Sequence, residues 1–171
     1  MKPIATVGTP LGGGFFAGEM TVGGERFALV VAPKAEGEKM EIEYKLEDRR
    51  TSDGTDSDDD GFANSNRIND ENHPAAQFCR QLRIGGFDDW YLPSRDELAM
   101  LCRNLGPTRK STPELFKSGN AEAFDEEWYW SSTEYAPNSF NAWIVDFNLG
   151  YQDGLNKDGN YGVRAVRRLK I

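Results

Sequence analysis

Apolar and polar residues alternate most clearly over 40–46, where Met40, Ile42 and Tyr44 fall on one side and Glu41, Glu43 and Lys45 on the other. That period of two predicts a strand with one wet face. Upstream, 4–7 is a short candidate strand. The apolar runs 15–22 and 26–31 are separated by Gly23-Gly24, which predicts a hairpin. Phe27 to Val31 shows no alternation, so both faces of that run are expected to be covered. The period then changes. Leu98, Leu101, Cys102 and Leu105 recur at the spacing of a one-sided helix over 95–105, stopped by Gly106-Pro107. A shorter helix is expected from His73-Pro74 to Arg83, capped by Asn72 and stopped by Gly85-Gly86. Its apolar side is Ala75, Phe78, Cys79 and Leu82. Residues 108–127 are irregular, with one short helix near 113–116. Strands return at 128–132, 141–148 and 162–169, with turns at Asn148-Leu149-Gly150 and Lys157-Asp158-Gly159-Asn160.

The stretch from Gly86 to Leu98 joins the two helices and organises the chain. Ser94 followed by Glu97 predicts a capping box, each side chain bonding an otherwise orphaned backbone N–H. Pro93 biases Leu92 toward extended backbone. Trp90 and Leu92 then point one way and Tyr91 the other. Two short one-sided helices must bury against a shared sheet or each other. The order of strands, two helices and strands predicts an α+β fold. It is expected as a single domain, 1–171, with N-terminal strands and hairpin in 1–47, an acidic loop in 48–72, and helices and C-terminal sheet in 73–171.

Length agrees with one domain, since 171 residues lie within the usual size range. Charge narrows the partners. With 28 acids against 20 bases and a formal net charge of -8, the chain is a poor default binder of nucleic acid or anionic membrane. No signal peptide and no run of roughly 18 apolar residues is visible. Membrane insertion is therefore not expected, and cytosolic synthesis is. Two cysteines cannot build a disulfide-rich scaffold.

Several segments together carry a family pattern. Gly86-Phe87-Asp88-Asp89-Trp90-Tyr91-Leu92-Pro93-Ser94-Arg95-Asp96-Glu97-Leu98 resembles the G-x-x-D-W-x-L-P-[ST]-x-x-E-L signature of the DUF1566 family, also called the Lcl C-terminal-like domain. Tyr129-Trp130-Ser131-Ser132-Thr133-Glu134 resembles its Y-W-S-S-T-E block. Ala142-Trp143, Phe147, Gly150 and Val163-Arg164-Ala165-Val166-Arg167 resemble its closing block. The resemblance covers 61–169. It implies a divergent C-type-lectin-like fold, two helices on a twisted, mostly antiparallel sheet with long loops. It also implies adhesion or receptor-binding roles. Residues 28–38 resemble phage-encoded members. This implies a virion protein, made in the host cytoplasm and located in the virion. Its partners would be other virion proteins or a bacterial surface receptor, within an oligomeric assembly.

Candidate chemistry is sparse. Asp56, Asp58 and Asp60, with Asn64 as a further oxygen, match the first half of a calcium loop, but Arg67 stands where a bidentate Glu is required. A solvated acidic loop is the competing reading, and Ca2+ is the one cofactor considered. His73 is the only histidine and is expected to cap a helix or face solvent. Cys79 and Cys102 are expected as buried thiols. Trp90, Pro93, Ser94, Glu97, Trp130, Ser131, Ser132 and Trp143 are expected to be structural, with Arg164 in ion pairs. An alternative makes the tryptophans an exposed ligand platform. No catalytic set emerges. A glycan hydrolase would need two suitably spaced carboxylates in a cleft. The expected function is non-enzymatic binding by displayed loops, or a purely architectural capsid, tail or baseplate role. The binding candidates are Tyr135, Asn138, Asn141, Tyr151, Asp153, Asn156 and Asn160, which lie between expected strands and mix aromatic and adaptable polar groups.

Overall fold

Among the described residues two sheets share nine strands, and the chain crosses between them twice. The computed structural model describes residues 4–46 and 51–171. Residues 1–3 and 47–50, which hold the ends of the expected N-terminal segment and the opening of the expected acidic loop, lie outside the described residues. In chain order the strands are β1 (Pro10–Leu11), β2 (Gly14–Val22), β3 (Glu25–Val31), β4 (Glu38–Glu43), β5 (Trp128–Glu134), β6 (Asn141–Asp146), β7 (Gln152–Asn156), β8 (Asn160–Arg164) and β9 (Val166–Lys170). The helices are α1 (Lys34–Gly37), α2 (Gly61–Arg67), α3 (Pro74–Arg80) and α4 (Arg95–Leu105), followed by a 3-10 turn at Glu114–Phe116.

The first sheet runs β1-β2-β3-β9 and is antiparallel throughout. The second runs β4-β8-β5-β6-β7, with a parallel pairing between β5 and β8 at Tyr129 and Gly162. The α+β class and the Gly23-Gly24 hairpin hold. The single sheet does not, because the run expected as one strand over 162–169 breaks at Ala165. Gly162 through Arg167 are all buried, so no alternation marks where the chain turns. Ala165 carries the chain from the second sheet to the first, and α1 makes the opposite passage after β3. The two crossings are bonded to each other: the Ala32 N–H donates to the Ala165 carbonyl and the Ala165 N–H to the Gly37 carbonyl, both at 2.9 Å.

Four helices replace the two expected. α3 and α4 are those two, although α3 ends at Arg80 and His73 rather than Asn72 is its N-cap residue. α2 lies inside the stretch expected to be an irregular acidic loop. Asp60 caps it, accepting from the Ala63 N–H at 2.9 Å. Its buried side includes Asn64 and Ser65, and the Ser65 hydroxyl bonds both the N–H and the carbonyl of Leu92. A helix that buries polar side chains shows no apolar stripe, and that stripe is the signal a sequence reading depends on.

The central stretch behaves as its pattern predicts. Trp90 and Leu92 pack with Trp130, Tyr44 and Val163 in one core cluster, while Tyr91 packs with Leu98, Leu101 and Tyr129 in the other. Tyr91 also pairs with Val166 through two backbone hydrogen bonds, which fastens the stretch to β9. Ser94 and Glu97 form the full capping box at the start of α4. Burying a residue such as Leu98 contributes about 1.5–3 kcal/mol, so α4 is held mainly by its inner face.

Candidate functional site

The calcium candidates do not converge. Asp60 has its carboxylate occupied twice, by the α2 cap and by Arg168 at 2.9 Å. The Asn64 amide is bonded to the backbone of Ser57, donating to its carbonyl at 2.7 Å and accepting from its N–H at 3.2 Å. Asp56 and Asp58 are exposed. Among the described residues no group of three or more His, Cys, Asp or Glu side chains could hold a metal ion.

Within the acidic tract Asp53 is pinned, whereas Asp56, Asp58 and Asp59 stay exposed. The Asp53 carboxylate accepts from Lys45 Nζ at 2.6 Å, Lys157 Nζ at 2.6 Å and His73 Nε2 at 3.0 Å. Lys157 also pairs with Glu134 at 2.6 Å, and Glu134 in turn accepts from the Ser52 hydroxyl and the Asp53 N–H. Burial opposes the ionised form of Asp53, but hydrogen bonds from His73, Lys157 and Lys45 outweigh it and hold the carboxyl well below its usual range. The network ties residues 52–53 to the end of β5 and to the turn after β7.

Other chemistry-bearing groups are similarly committed. His73 is buried, with Nδ1 at 2.7 Å from Asp70 and Nε2 at 3.0 Å from Asp53. It stands at the N-cap position of α3 as expected, without a side-chain cap bond, and is buried rather than facing solvent. Cys79 and Cys102 are free and buried, and burial raises the pKa of both thiols. Glu97 is enclosed, and burial pushes it up to about 7 against bonds from Tyr91 and Ser94. Arg164 is fully buried, donating to the carbonyls of Ala32 and Glu122 and pairing with the carboxylates of Glu38 and Glu122. Trp90 and Trp130 are enclosed, their indole N–H groups donating to the carbonyls of Ile84 and Ile42. Pro93 and Ser132 join through the Ser132 N–H and the Pro93 carbonyl, and Ser131 accepts from the Thr133 N–H.

The seven binding candidates separate into groups. Tyr135, Asn138, Asn141 and Asn156 gather at one end of the β6–β7 hairpin, where Asn141 faces Asn156 across the strands. The 135–141 loop is closed by its own backbone bonds, Tyr135 to Asn141 and Asn138 to Tyr135. Tyr151 sits at the opposite end beside Leu149, with the two side chains 63% and 65% exposed. Asp153 pairs with Ile144, so it points away from the face carrying Trp143. Asn160 opens β8, with β5 lying between it and β6.

Trp143 departs from Trp90 and Trp130. It is half-buried on the face of β6 that Val145 packs toward α4, opposite Gly154. Tyr135 meets its ring edge-on at 4.7 Å. The Arg95 guanidinium lies over the ring at 3.6 Å, and its Nε–H donates to the Gln152 side-chain carbonyl at 2.9 Å. A Cβ on Gly154 would come within 2.5 Å of the Tyr135 ring, so glycine makes room for it. Arg95, Gln152 and Gly154 escaped the sequence reading. The available signal was Gly154 within a polar strand facing a tryptophan strand. The middle of β7 offers little open backbone, since the Gly154 N–H bonds the Asp153 carboxylate and its carbonyl accepts from Asn141.

A fimbrial protein from Bacteroides ovatus ATCC 8483 shares the fold, with a TM-score of 0.52 and 19% identity over 81% of this chain. The chain spans only 35% of that protein's length. The phage, virion and capsid expectation is corrected by this likeness, because the solved protein of shared fold is bacterial and fimbrial. No curated protein matches the chain. Among the described residues, no helix is long and apolar enough to cross a membrane. The model of the Lcl C-terminal domain matches residues 44–167, and the chain therefore belongs to the Lcl C-terminal domain family.

Proposed function

We propose that this protein is a non-enzymatic, adhesin-like binding domain that engages a protein or cell surface through the edge of the β6–β7 hairpin around Tyr135 and Trp143. The observation that carries this reading is the strip of Tyr135, Trp143, Arg95 and Gln152. Trp90, Trp130, Tyr44, Tyr91 and Tyr129 are enclosed, whereas Tyr135 and Trp143 stay partly open, as Trp128 does, and Trp143 is braced by a guanidinium. Aromatic and arginine side chains held in one geometry are the usual anchors of recognition surfaces. The fimbrial name of the structural relative supports a surface-binding role. The lectin-like form of the fold belongs to the same proposal, with rigid sheets carrying a ligand-facing loop end.

Bead adhesion tests it. The full chain is coupled to beads, and retention is measured on bacterial and epithelial cell layers. Beads carrying the native chain are expected to be retained several-fold better than beads carrying the Tyr135→Ala, Trp143→Ala double variant. Equal retention of the two on every surface overturns the reading.

A further inference from the structure

We infer that the outer edge of β9 takes an added strand, an extended and apolar-faced segment of a partner protein. β9 leaves part of its backbone without hydrogen bonds. The β3–β9 ladder pairs Phe27 with Lys170, Leu29 with Arg168 and Val31 with Val166. Just beyond its ends, the Ala32 N–H donates to the Ala165 carbonyl and the Ile171 N–H to the Arg26 carbonyl. Bonds in an antiparallel ladder alternate, so Arg167 and Leu169 face β3 while Val166, Arg168 and Lys170 face away. Val166 shows this directly, because it exchanges both of its bonds with Tyr91 on the far side. The chain leaves the edge after that single pair, and the Asp89 carboxylate turns to Arg167 at 2.6 Å. The N–H and C=O groups of Arg168 and Lys170 are left with no partner among the described residues. Other strand edges are interrupted. On β7 the Gly154 N–H bonds the Asp153 carboxylate, and on β2 the Asn104 amide donates to the Ala17 carbonyl at 2.7 Å. β4 carries a bulge between Lys39 and Ile42, with Glu41 at φ 55°, a device that blunts pairing.

A groove of about 260 Å3 lies beside the unmet groups, lined by Phe27, Phe62, Asp89, Tyr91, Arg168 and Lys170. Phe27 and Phe62 are partly open. The Arg168 guanidinium meets both rings, at 4.7 and 5.7 Å from their centres. Its charge is matched by Asp60 at 2.9 Å and that of Lys170 by Glu25, so the groove offers rings rather than an unmet charge. These features select the occupant. Donor and acceptor pairs two residues apart, about 7 Å along β9, match the backbone of an extended strand. A residue opposite Arg168 shares its face of the sheet and directs its side chain toward Phe27 and Phe62, where an apolar group fits. A second copy pairing through the same edge would set Arg168 and Lys170 against their own images, and like charges directly opposite are destabilising. This edge belongs to the first sheet and Trp143 to the second, so the two surfaces can be tested separately.

Amide–water exchange on the full chain tests it. Exchange is followed by nuclear magnetic resonance with millimolar acetyl-Thr-Leu-Thr-Leu-Thr-amide, and with acetyl-Thr-Ser-Thr-Ser-Thr-amide as the polar match. The Leu peptide is expected to slow the Arg168 and Lys170 amides about threefold or more, and the Ser peptide to leave them unchanged. The Arg167 and Leu169 amides, already bonded to β3, are expected to keep their rates. Lys170→Pro removes one outward N–H at an edge position that tolerates proline. It is expected to abolish the protection of the Arg168 amide, whereas Lys170→Ala is expected to keep it. The inference is overturned if neither peptide slows these amides, if both slow them equally, if protection survives Lys170→Pro, or if Lys170→Ala loses it as well. Protection without peptide in a chain that sediments as a dimer also overturns it, because a second copy would then be the occupant.

Discussion

Lys157 and Asp53 stand 104 residues apart in the chain and 2.6 Å apart in the fold. The ammonium of Lys157 simultaneously holds Glu134, so one buried cation bridges the tract before α2, the end of β5 and the turn after β7. That turn follows the β6–β7 hairpin that carries Trp143.

Replacing Lys157 with Met removes the shared cation and leaves two enclosed carboxylates facing each other. Loss of one partner from a buried ion pair costs about 3–5 kcal/mol. Lys157→Met is expected to lower stability by that amount in urea unfolding, and to expose residues 51–56 to proteases before the rest of the domain unfolds.

Stability should depend on pH in two opposed ways. Glu97 is raised from 4.5 to about 7 in the folded protein, chiefly by burial. Its contribution is fully present below the unfolded value of 4.5 and is lost as pH rises to about 7, up to about 3 kcal/mol over that window. Asp53 is depressed, so its contribution is present above the unfolded value of 3.8 and is lost as pH falls through the folded one. Thermal melts across pH 3–8 are expected to show the decline between 4.5 and 7 in the native chain and a flatter course there in Glu97→Gln.

The two kinds of tryptophan can be separated by stability. Trp130 is fully enclosed and bonded to the Ile42 carbonyl at 2.8 Å, so Trp130→Ala should cost about 3–5 kcal/mol. Trp143 is half-buried at the edge of the sheet, and Trp143→Ala should cost about 1 kcal/mol or less while abolishing adhesion. Denaturant curves for the two variants distinguish these outcomes.

Gly154 links strand geometry to the platform. A methyl group there meets the Tyr135 ring at 2.5 Å. The ring is near the surface and can swing aside, so Gly154→Ala should lose only about 1 kcal/mol. It should nevertheless displace Tyr135 from Trp143, which near-ultraviolet circular dichroism would report as a reduced aromatic signal.

The sequence by itself determined the elements whose signal is local. Leu98, Leu101, Cys102 and Leu105 define α4 through their spacing, Ser94 and Glu97 define its start, and Gly23-Gly24 defines the first hairpin, because each depends on neighbours a few residues away. The alternation of Trp90, Tyr91 and Leu92 likewise announced which core each residue would join. Only the tertiary structure decided the rest. The break at Ala165 is silent in a run buried on every side, and α2 is silent because it buries Asn64 and Ser65 instead of an apolar stripe. The pairing of Asp53 with Lys157, and of Arg95 with Trp143, joins residues with no local relation. Whether an acid is solvated or pinned, and whether a tryptophan is core or surface, depends on which distant strand the fold brings beside it.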